Sequence, residues 1–153
     1  MKIDILLAAV LAAATLSVAP INAIAVDTSP PSPAPDHAAG IRAIEAKDWS
    51  AAIKSLTAAA QRDPRNADVE NLLGYAYRNA GQLDSAFQHY ERALQINPRH
   101  LGTHEYIGEA YLMANNLAKA EEHLAALQRY CSRICEERDD LGKKIEEYRK
   151  RAK

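Results

Sequence analysis

The chain has 153 residues, of which 48% are apolar and 25% are charged, the ordinary composition of a globular protein. This balance excludes collagen-like structure and wholesale disorder. Nineteen basic against twenty acidic residues give a net charge of −1, so no overall field favours nucleic acid or an anionic membrane as a partner. The sequence has no hydrolase motif and no glycine-rich phosphate loop, and we therefore expect no catalytic activity.

Residues 1–25 have the pattern of a secretory signal peptide. Lys2 supplies a positive charge, and residues 5–18 form an apolar run that is too short to span a bilayer. Ala23 and Ala25 place small residues where a signal peptidase reads them. We expect cleavage after Ala25 and a secreted, periplasmic mature chain with no membrane span. The alternative is an uncleaved anchor.

A proline-rich segment follows, with four prolines in residues 26–35. This composition favours an extended linker, and a proline-rich ligand segment is the alternative. Asp36 comes directly after it and is a residue type that caps helix N-termini. The first helix is therefore expected to begin at this point.

The rest of the chain repeats with a period of 34 residues. Residues of matching type recur in the sets Gly40/Gly74/Gly108, Ala52/Ala86/Ala120, Leu56/Tyr90/Leu124, Tyr77/Tyr111 and Pro64/Pro98. So many coincidences at one spacing indicate an array of similar units, which bury a continuous core only when they are stacked.

Within each unit the pattern predicts two helices that pack against each other. A glycine on the first helix and an alanine on the second, such as Gly108 and Ala120, let the two helices approach closely. Gly81 and the asparagines at 115–116 suit the tight turns between them. The six predicted helices lie near 37–46, 49–62, 67–79, 83–96, 101–114 and 117–130.

A seventh helix is predicted over residues 133–150. Ile134, Leu141, Ile145 and Tyr148 recur there at helical spacing, among many charged residues. An open stack of helices needs a terminal element with one polar face. We therefore expect this helix to cap the C-terminal end.

At these residues the chain resembles the tetratricopeptide repeat family, whose units carry Leu-Gly, Tyr, Ala, an aromatic residue, Ala and Pro in that order. The second unit fits the pattern at Leu73, Gly74, Tyr77, Ala86, Tyr90, Ala93 and Pro98. Glu70, where the family favours Trp, and Ser132, where it has Pro, depart from it. The resemblance implies an all-α, right-handed helical-hairpin solenoid. Its parts are units at about 36–66, 67–100 and 101–132, and a capping helix with a basic tail at 133–153.

In this family the first helices of successive units line a concave groove that holds an extended peptide or a helix. The resemblance therefore implies a partner-binding site at Asn71, Tyr75, Arg78, Asn79, Glu105, Glu109, Leu112 and Met113. One subclass clamps a terminal carboxylate with Lys, Asn and Arg. The matching positions here are His37, Ile41, Leu72, Gly102 and Tyr106. This chain therefore lies outside that subclass.

The charges at these positions predict an acidic groove. Glu105 and Glu109 lie one turn apart, and both are expected to be exposed. Asp68 joins them, and Arg78 is the main opposing charge. We therefore expect another protein to present a basic or polar segment here. The alternative is that these acids only keep the surface soluble.

Four histidines stand at spacings that raise the question of a metal site. His89 and His123 are 34 residues apart, and His100 and His104 have i,i+4 spacing. The first pair suits an exposed outer face, and the second lacks a third ligand. We expect no metal and no cofactor.

Cys131 and Cys135 are the only cysteines. In an exported protein an even count favours a structural disulfide. Two alternatives stay open: a Cu(I) site, because some exported copper chaperones of a different fold use this spacing, and two plain thiols. The sequence as a whole predicts a non-catalytic adaptor that binds another protein in the concave groove. The alternative function is copper handling or thiol chemistry at the cysteine pair.

Overall fold

The computed structural model describes residues 35–151, which form seven α-helices and no strand. The helices are α1 (Pro35–Glu45), α2 (Trp49–Arg62), α3 (Ala67–Asn79), α4 (Leu83–Ile96), α5 (Leu101–Met113), α6 (Leu117–Tyr130) and α7 (Glu136–Arg151). The first six pack as three successive pairs. The all-α helical-hairpin repeat is confirmed. The expected signal peptide and most of the proline-rich linker lie outside the described residues.

The turns inside the helix pairs repeat the 34-residue period in their backbone angles. Lys47, Gly81 and Asn115 have φ of 56°, 76° and 57°. Gly81 and Asn115 are residue types that tolerate this left-handed conformation, whereas Lys47 carries the steric cost of its β-carbon. Two of the three helices that follow begin with a side-chain cap: Asp48 accepts a hydrogen bond from the Ala51 amide at 3.0 Å, and Asn116 accepts one from the Lys119 amide at 3.1 Å.

Glycines on the first helices make room for large side chains rather than for alanines. A β-carbon at Gly40 would lie 2.5 Å from Leu56 Cγ, and one at Gly74 would lie 2.5 Å from the Tyr90 ring. Both large residues are completely buried. Close approach is therefore confirmed in the first two units, where the facing residue belongs to the second helix of the same unit.

The third unit differs, because the side chain nearest to the glycine comes from the capping helix and not from the second helix of the unit. A β-carbon at Gly108 would lie 2.6 Å from Cδ2 of Leu141, on α7. The capping helix therefore packs directly against α5 as well as α6. Leu141 and Ile145 are fully buried there, so α7 is part of the core and covers the end of the stack as predicted.

Two local expectations at helix ends are wrong. Asp36 lies inside the first turn of α1 and pairs with Arg62 at 2.5 Å instead of capping the helix. The last helix begins at Glu136, because Cys131 adopts an extended conformation and ends α6. Ile134 consequently lies in the connection and is 88% exposed. Along the described chain, none of the helices is long and apolar enough to cross a membrane.

Candidate partner-binding groove

The helices α3, α5 and α7 enclose a groove with a volume of about 1010 Å³. It is lined by Tyr75, Arg78, Asn79, Gly81, Glu109, Leu112, Met113, Asn115, Lys144, Glu147, Tyr148 and Arg151. Six of the eight residues that the sequence assigned to the groove are in this set. Asn71 and Glu105 do not line it.

Asn71 instead links two units. It is buried, and its Oδ1 accepts a hydrogen bond from the Thr103 hydroxyl at 3.0 Å. Because Thr103 lies on α5, this bond ties the first helices of successive units together. Asn71 therefore supports the shape of the groove without reaching its surface.

Arg78 is held between two tyrosine rings. Its guanidinium carbon lies 5.3 Å from the ring centre of Tyr75 and 5.4 Å from that of Tyr106, distances typical of cation–π contacts. Trp49 extends this aromatic stripe, with its ring centre 6.1 Å from that of Tyr75. The arginine is only 8% exposed. Its position is therefore fixed before any ligand binds, and sequence analysis missed Tyr106 and Trp49 as the residues that help to fix it.

Glu109 forms an ion pair with two cations at once. Its Oε2 accepts from Arg78, and its Oε1 lies 3.1 Å from Nζ of Lys144 on α7. The glutamate side chain is 12% exposed, so the expectation that Glu109 is exposed is wrong. It is nearly buried because α7, whose docking could not be read from sequence, covers it.

Glu105 lies half-buried on α5 next to acidic residues of α7. Its pKa is raised to about 7, chiefly by burial and also by the negative charges of Glu109, Asp140 and Glu137, while Lys144 opposes the shift. The carboxyl group is therefore only partly ionised at neutral pH. Its expected role as an exposed acid of the groove is wrong.

The capping helix α7 supplies four groove residues that the sequence did not assign to the groove: Lys144, Glu147, Tyr148 and Arg151. These residues are spaced three or four positions apart and therefore share one helix face. This spacing was the feature of the sequence from which the face could have been predicted. Tyr148 bonds across the groove, where its hydroxyl donates to Oδ1 of Asn115 at 3.3 Å. The contact joins the capping helix to the turn after α5.

The groove is not acidic, contrary to the sequence-based expectation. Its lining contains three basic residues, Arg78, Lys144 and Arg151, and two acidic ones, Glu109 and Glu147. Asp68 does not join the groove, and its Oδ1 lies 2.8 Å from Nε2 of His100. The lining is not acidic because Glu105 and Asp68 lie outside it and because the capping helix adds two cations and one carboxylate to the balanced pair of Arg78 and Glu109.

Comparison with known families agrees with this architecture. Two models described as tetratricopeptide repeat match the sequence, one over residues 37–100 and the other over residues 77–130. The chain belongs to the tetratricopeptide repeat family. Among proteins with curated descriptions, none matches the chain.

Solved tetratricopeptide repeat structures share the fold at low sequence identity. The OM64 domain of Arabidopsis is 18% identical with a TM-score of 0.66, over 74% of this chain and 93% of that one. The TPR2B domain of yeast Sti1, in a complex with pHsp70, is 18% identical with a TM-score of 0.65, over 74% of this chain and 89% of that one. The Yersinia enterocolitica type III secretion chaperone SycD, in complex with a peptide of the translocator YopD, is 18% identical with a TM-score of 0.65, over 74% of this chain and 86% of that one. These identities show the fold alone.

The histidines contact each other in a different combination from the two pairs that their sequence spacing suggested. The Nδ1 atoms of His104 and His123 lie 2.9 Å apart. Nε2 of His104 bonds the Pro98 carbonyl at 3.0 Å, so its Nδ1 accepts from His123. The pKa of His123 is lowered to about 4, chiefly by burial and also by the neighbouring His104. Within residues 35–151, no three His, Cys, Asp or Glu side chains converge as metal ligands would.

Glu70 departs from the family pattern, and the structure gives a reason. Its buried carboxylate lies 2.7 Å from Nδ1 of His89 and 3.5 Å from Nη1 of Arg92. His89 in turn stacks on Tyr77, with ring centres 5.1 Å apart. This polar cluster packs the two helices of the second unit, so His89 is not a free residue of the outer face.

The two cysteines lie in the connection between α6 and α7. Their sulfur atoms are 1.97 Å apart, at disulfide bonding distance, and their Cα atoms are 5.8 Å apart. The pair closes the short loop that leads into the capping helix. Sulfur atoms joined in a disulfide cannot act as thiolate ligands. Copper binding or thiol chemistry would therefore first require reduction of the bond.

Proposed function

We propose that this tetratricopeptide repeat protein is a non-catalytic adaptor, which binds a segment of another protein in the groove of α3, α5 and α7. The observation that carries the proposal is the groove itself, with its exposed Met113 beside a fixed network of ionic and aromatic contacts. Met113 is 54% exposed and lines the groove with Leu112, and a concave site that combines apolar lining with a few placed polar groups is typical of binding sites.

The groove suits a peptide segment because it offers both kinds of contact. Leu112 and Met113 supply apolar surface, while the side-chain amides of Asn79 and Asn115 can bond a peptide backbone. Arg78 and its aromatic neighbours are ordered by their own contacts. Binding therefore costs little further side-chain entropy in the floor of the groove.

Similar proteins support this use of the fold. The yeast and Yersinia structures described above contain partners, namely pHsp70 and a peptide of YopD. The partner of the present chain is proposed as a protein segment by analogy with them. Its proposed location is the export compartment, on the strength of the signal-like pattern in residues 1–25.

Site-specific photo-crosslinking in the cells that produce the protein tests the proposal. A photoreactive amino acid at Met113 should crosslink to the partner. The matched control is the same amino acid at Ile134, which is also an exposed apolar residue but lies outside the groove. The variant Met113→Gln should reduce partner binding in affinity capture with full-length protein, and Ile134→Gln should not.

The opposite pattern would refute the groove as the site. If Ile134 crosslinks to the main partner and Met113 does not, the protein binds at the α6–α7 junction. If both glutamine variants capture the partner as well as the wild type does, the exposed methionine makes no contribution and another face must be considered.

A further inference from the structure

We infer that the groove selects an acidic peptide segment, in which a carboxylate side chain next to an apolar residue binds at Lys144 of the capping helix. This inference rests on the proposed function and reverses the ligand charge that the sequence suggests. It assigns the choice of ligand to α7, an element outside the three repeat units.

Arg78, Glu109 and Lys144 form a triad with unequal charge. Arg78 and Lys144 share one carboxylate, that of Glu109, and each of its two oxygens already binds one cation. The triad thus retains one positive charge. Arg78 is enclosed by aromatic rings and nearly buried, so the surplus is accessible at Lys144.

Lys144 is exposed enough to meet a ligand. Its side chain is 48% exposed, and within residues 35–151 Glu109 is its one acidic partner. An ammonium group has three N–H donors, so donors remain free for a ligand. A ligand carboxylate at this point would complete an array of two cations and two anions, with charge-assisted hydrogen bonds in a partly desolvated groove.

The lining of the groove keeps this surplus, because the nearby acids Glu105, Glu137 and Asp140 all lie outside it. Glu147 and Arg151 are separated by one helical turn and balance each other in the lining. Asp140 is bound by Lys143 at 2.9 Å. Glu105 lies outside the lining and is partly neutral at pH 7, so the acidic face expected from the sequence is not available to attract a basic ligand.

Met113 is the groove residue that would contact the apolar residue of the ligand. This residue ends α5 at the groove and is one of two large apolar side chains that are exposed in the described chain. It lines the same cavity as Lys144. A ligand residue such as Leu next to the acid could cover Met113 while the carboxylate binds Lys144.

Selection from a random dodecapeptide library displayed on phage, with the full-length protein as bait, tests the inference. Enriched sequences should carry Asp or Glu beside an apolar residue. Synthetic peptides of those sequences should bind about tenfold more weakly after Glu→Gln substitution in the peptide, the loss expected for one charge-assisted bond. Lys144→Gln should cause a similar loss in the protein, and Lys143→Gln, the matched control on the exposed side of α7, should not.

The outcomes separate this inference from the proposed function. Enrichment of basic or uncharged peptides that still require Met113 overturns the acidic ligand and leaves the adaptor role intact. Failure to enrich any peptide, or equal binding to wild type and Lys144→Gln, also overturns the inference. Peptides that bind only with a free C-terminus and lose binding when amidated would assign Lys144 to a terminal carboxylate, which contradicts the side-chain proposal.

Discussion

Leu141 of the capping helix lies directly over Gly108 of the last repeat unit, with its Cδ2 only 2.6 Å from where a β-carbon at Gly108 would be. The first two units fill the equivalent space with Leu56 and Tyr90 from their own second helices. In the third unit the capping helix takes this role. The same docking brings Lys144 and Tyr148 to the groove, so one close contact couples the end of the core to the candidate site.

The contact predicts that Gly108→Ala destabilises the fold by about 1–3 kcal/mol through overpacking. Leu141→Ala should partly relieve the clash, so the two substitutions should be non-additive in a double-mutant cycle measured by urea unfolding. Gly102→Ala is the control, because a β-carbon there would meet its nearest neighbours at 3.7 Å, an ordinary contact. That variant should be neutral or stabilising by the helix propensity of alanine. Equal losses for the Gly108 and Gly102 variants would contradict the packing.

The left-handed turns predict opposite effects of two substitutions. Lys47→Gly should raise the free energy of unfolding by about 0.5–1 kcal/mol, because glycine removes the steric cost at a φ of 56°. Gly81→Ala should lower it by about 1 kcal/mol. A β-carbon at Gly81 would meet nothing within 4 Å, so the loss would come from the backbone angle alone. Thermal melts of both variants check the pair, and a stabilised Gly81→Ala protein would disprove the turn geometry.

Glu105 predicts a specific pH dependence. Its pKa is raised from 4.5 to about 7 in the folded protein, so between these values the folded state binds more protons than the unfolded state. The stability contribution of this group is therefore largest in acid and is lost as the pH rises from about 4.5 to 7. Glu105→Gln should melt like the wild type near pH 4 and at a higher temperature above pH 7. A difference that does not change with pH would contradict the burial of the carboxyl group.

The cysteine pair predicts an intramolecular disulfide in the exported protein. Thiol titration of denatured, unreduced protein should find no free thiol. Replacing Cys131 and Cys135 with serine should cost about 2 kcal/mol, since the closed loop is short. Hydrogen exchange should then increase in the 131–135 connection and α7 while the repeat units stay protected. Ser132→Ala is the control in the same loop.

The copper alternative has a distinct signature in the same measurements. Two titratable thiols in protein isolated without reductant, together with tight stoichiometric Cu(I) binding, would contradict the predicted disulfide and support copper handling. Cu(I) binding that appears only after chemical reduction would leave the structural disulfide as the native state.

Local sequence signals were enough to place most of the helices. The predicted bounds of α2, α3, α4 and α6 agree with the structure, and α5 ends one residue before the prediction, at Met113. Capping residues such as Asn66 and Asn116 and turn residues such as Gly81 act within a few positions of themselves. The helix ends that these residues set can therefore be predicted from a single sequence. The same local pattern recurs with the 34-residue period.

Only the tertiary structure decided the character of the candidate site. The resemblance placed Arg78, Glu109 and Met113 at the groove, but it could not show that α7 brings Lys144 there or that Glu105 is half-buried among other acids. Ionic pairing and burial depend on which helices meet, and α7 docks through contacts with α5 that are distant in sequence. The sequence by itself determined a stack of helical hairpins with a cap. The charge of the groove was decided by the docking of that cap, because electrostatic energy depends on distances in space rather than on order along the chain.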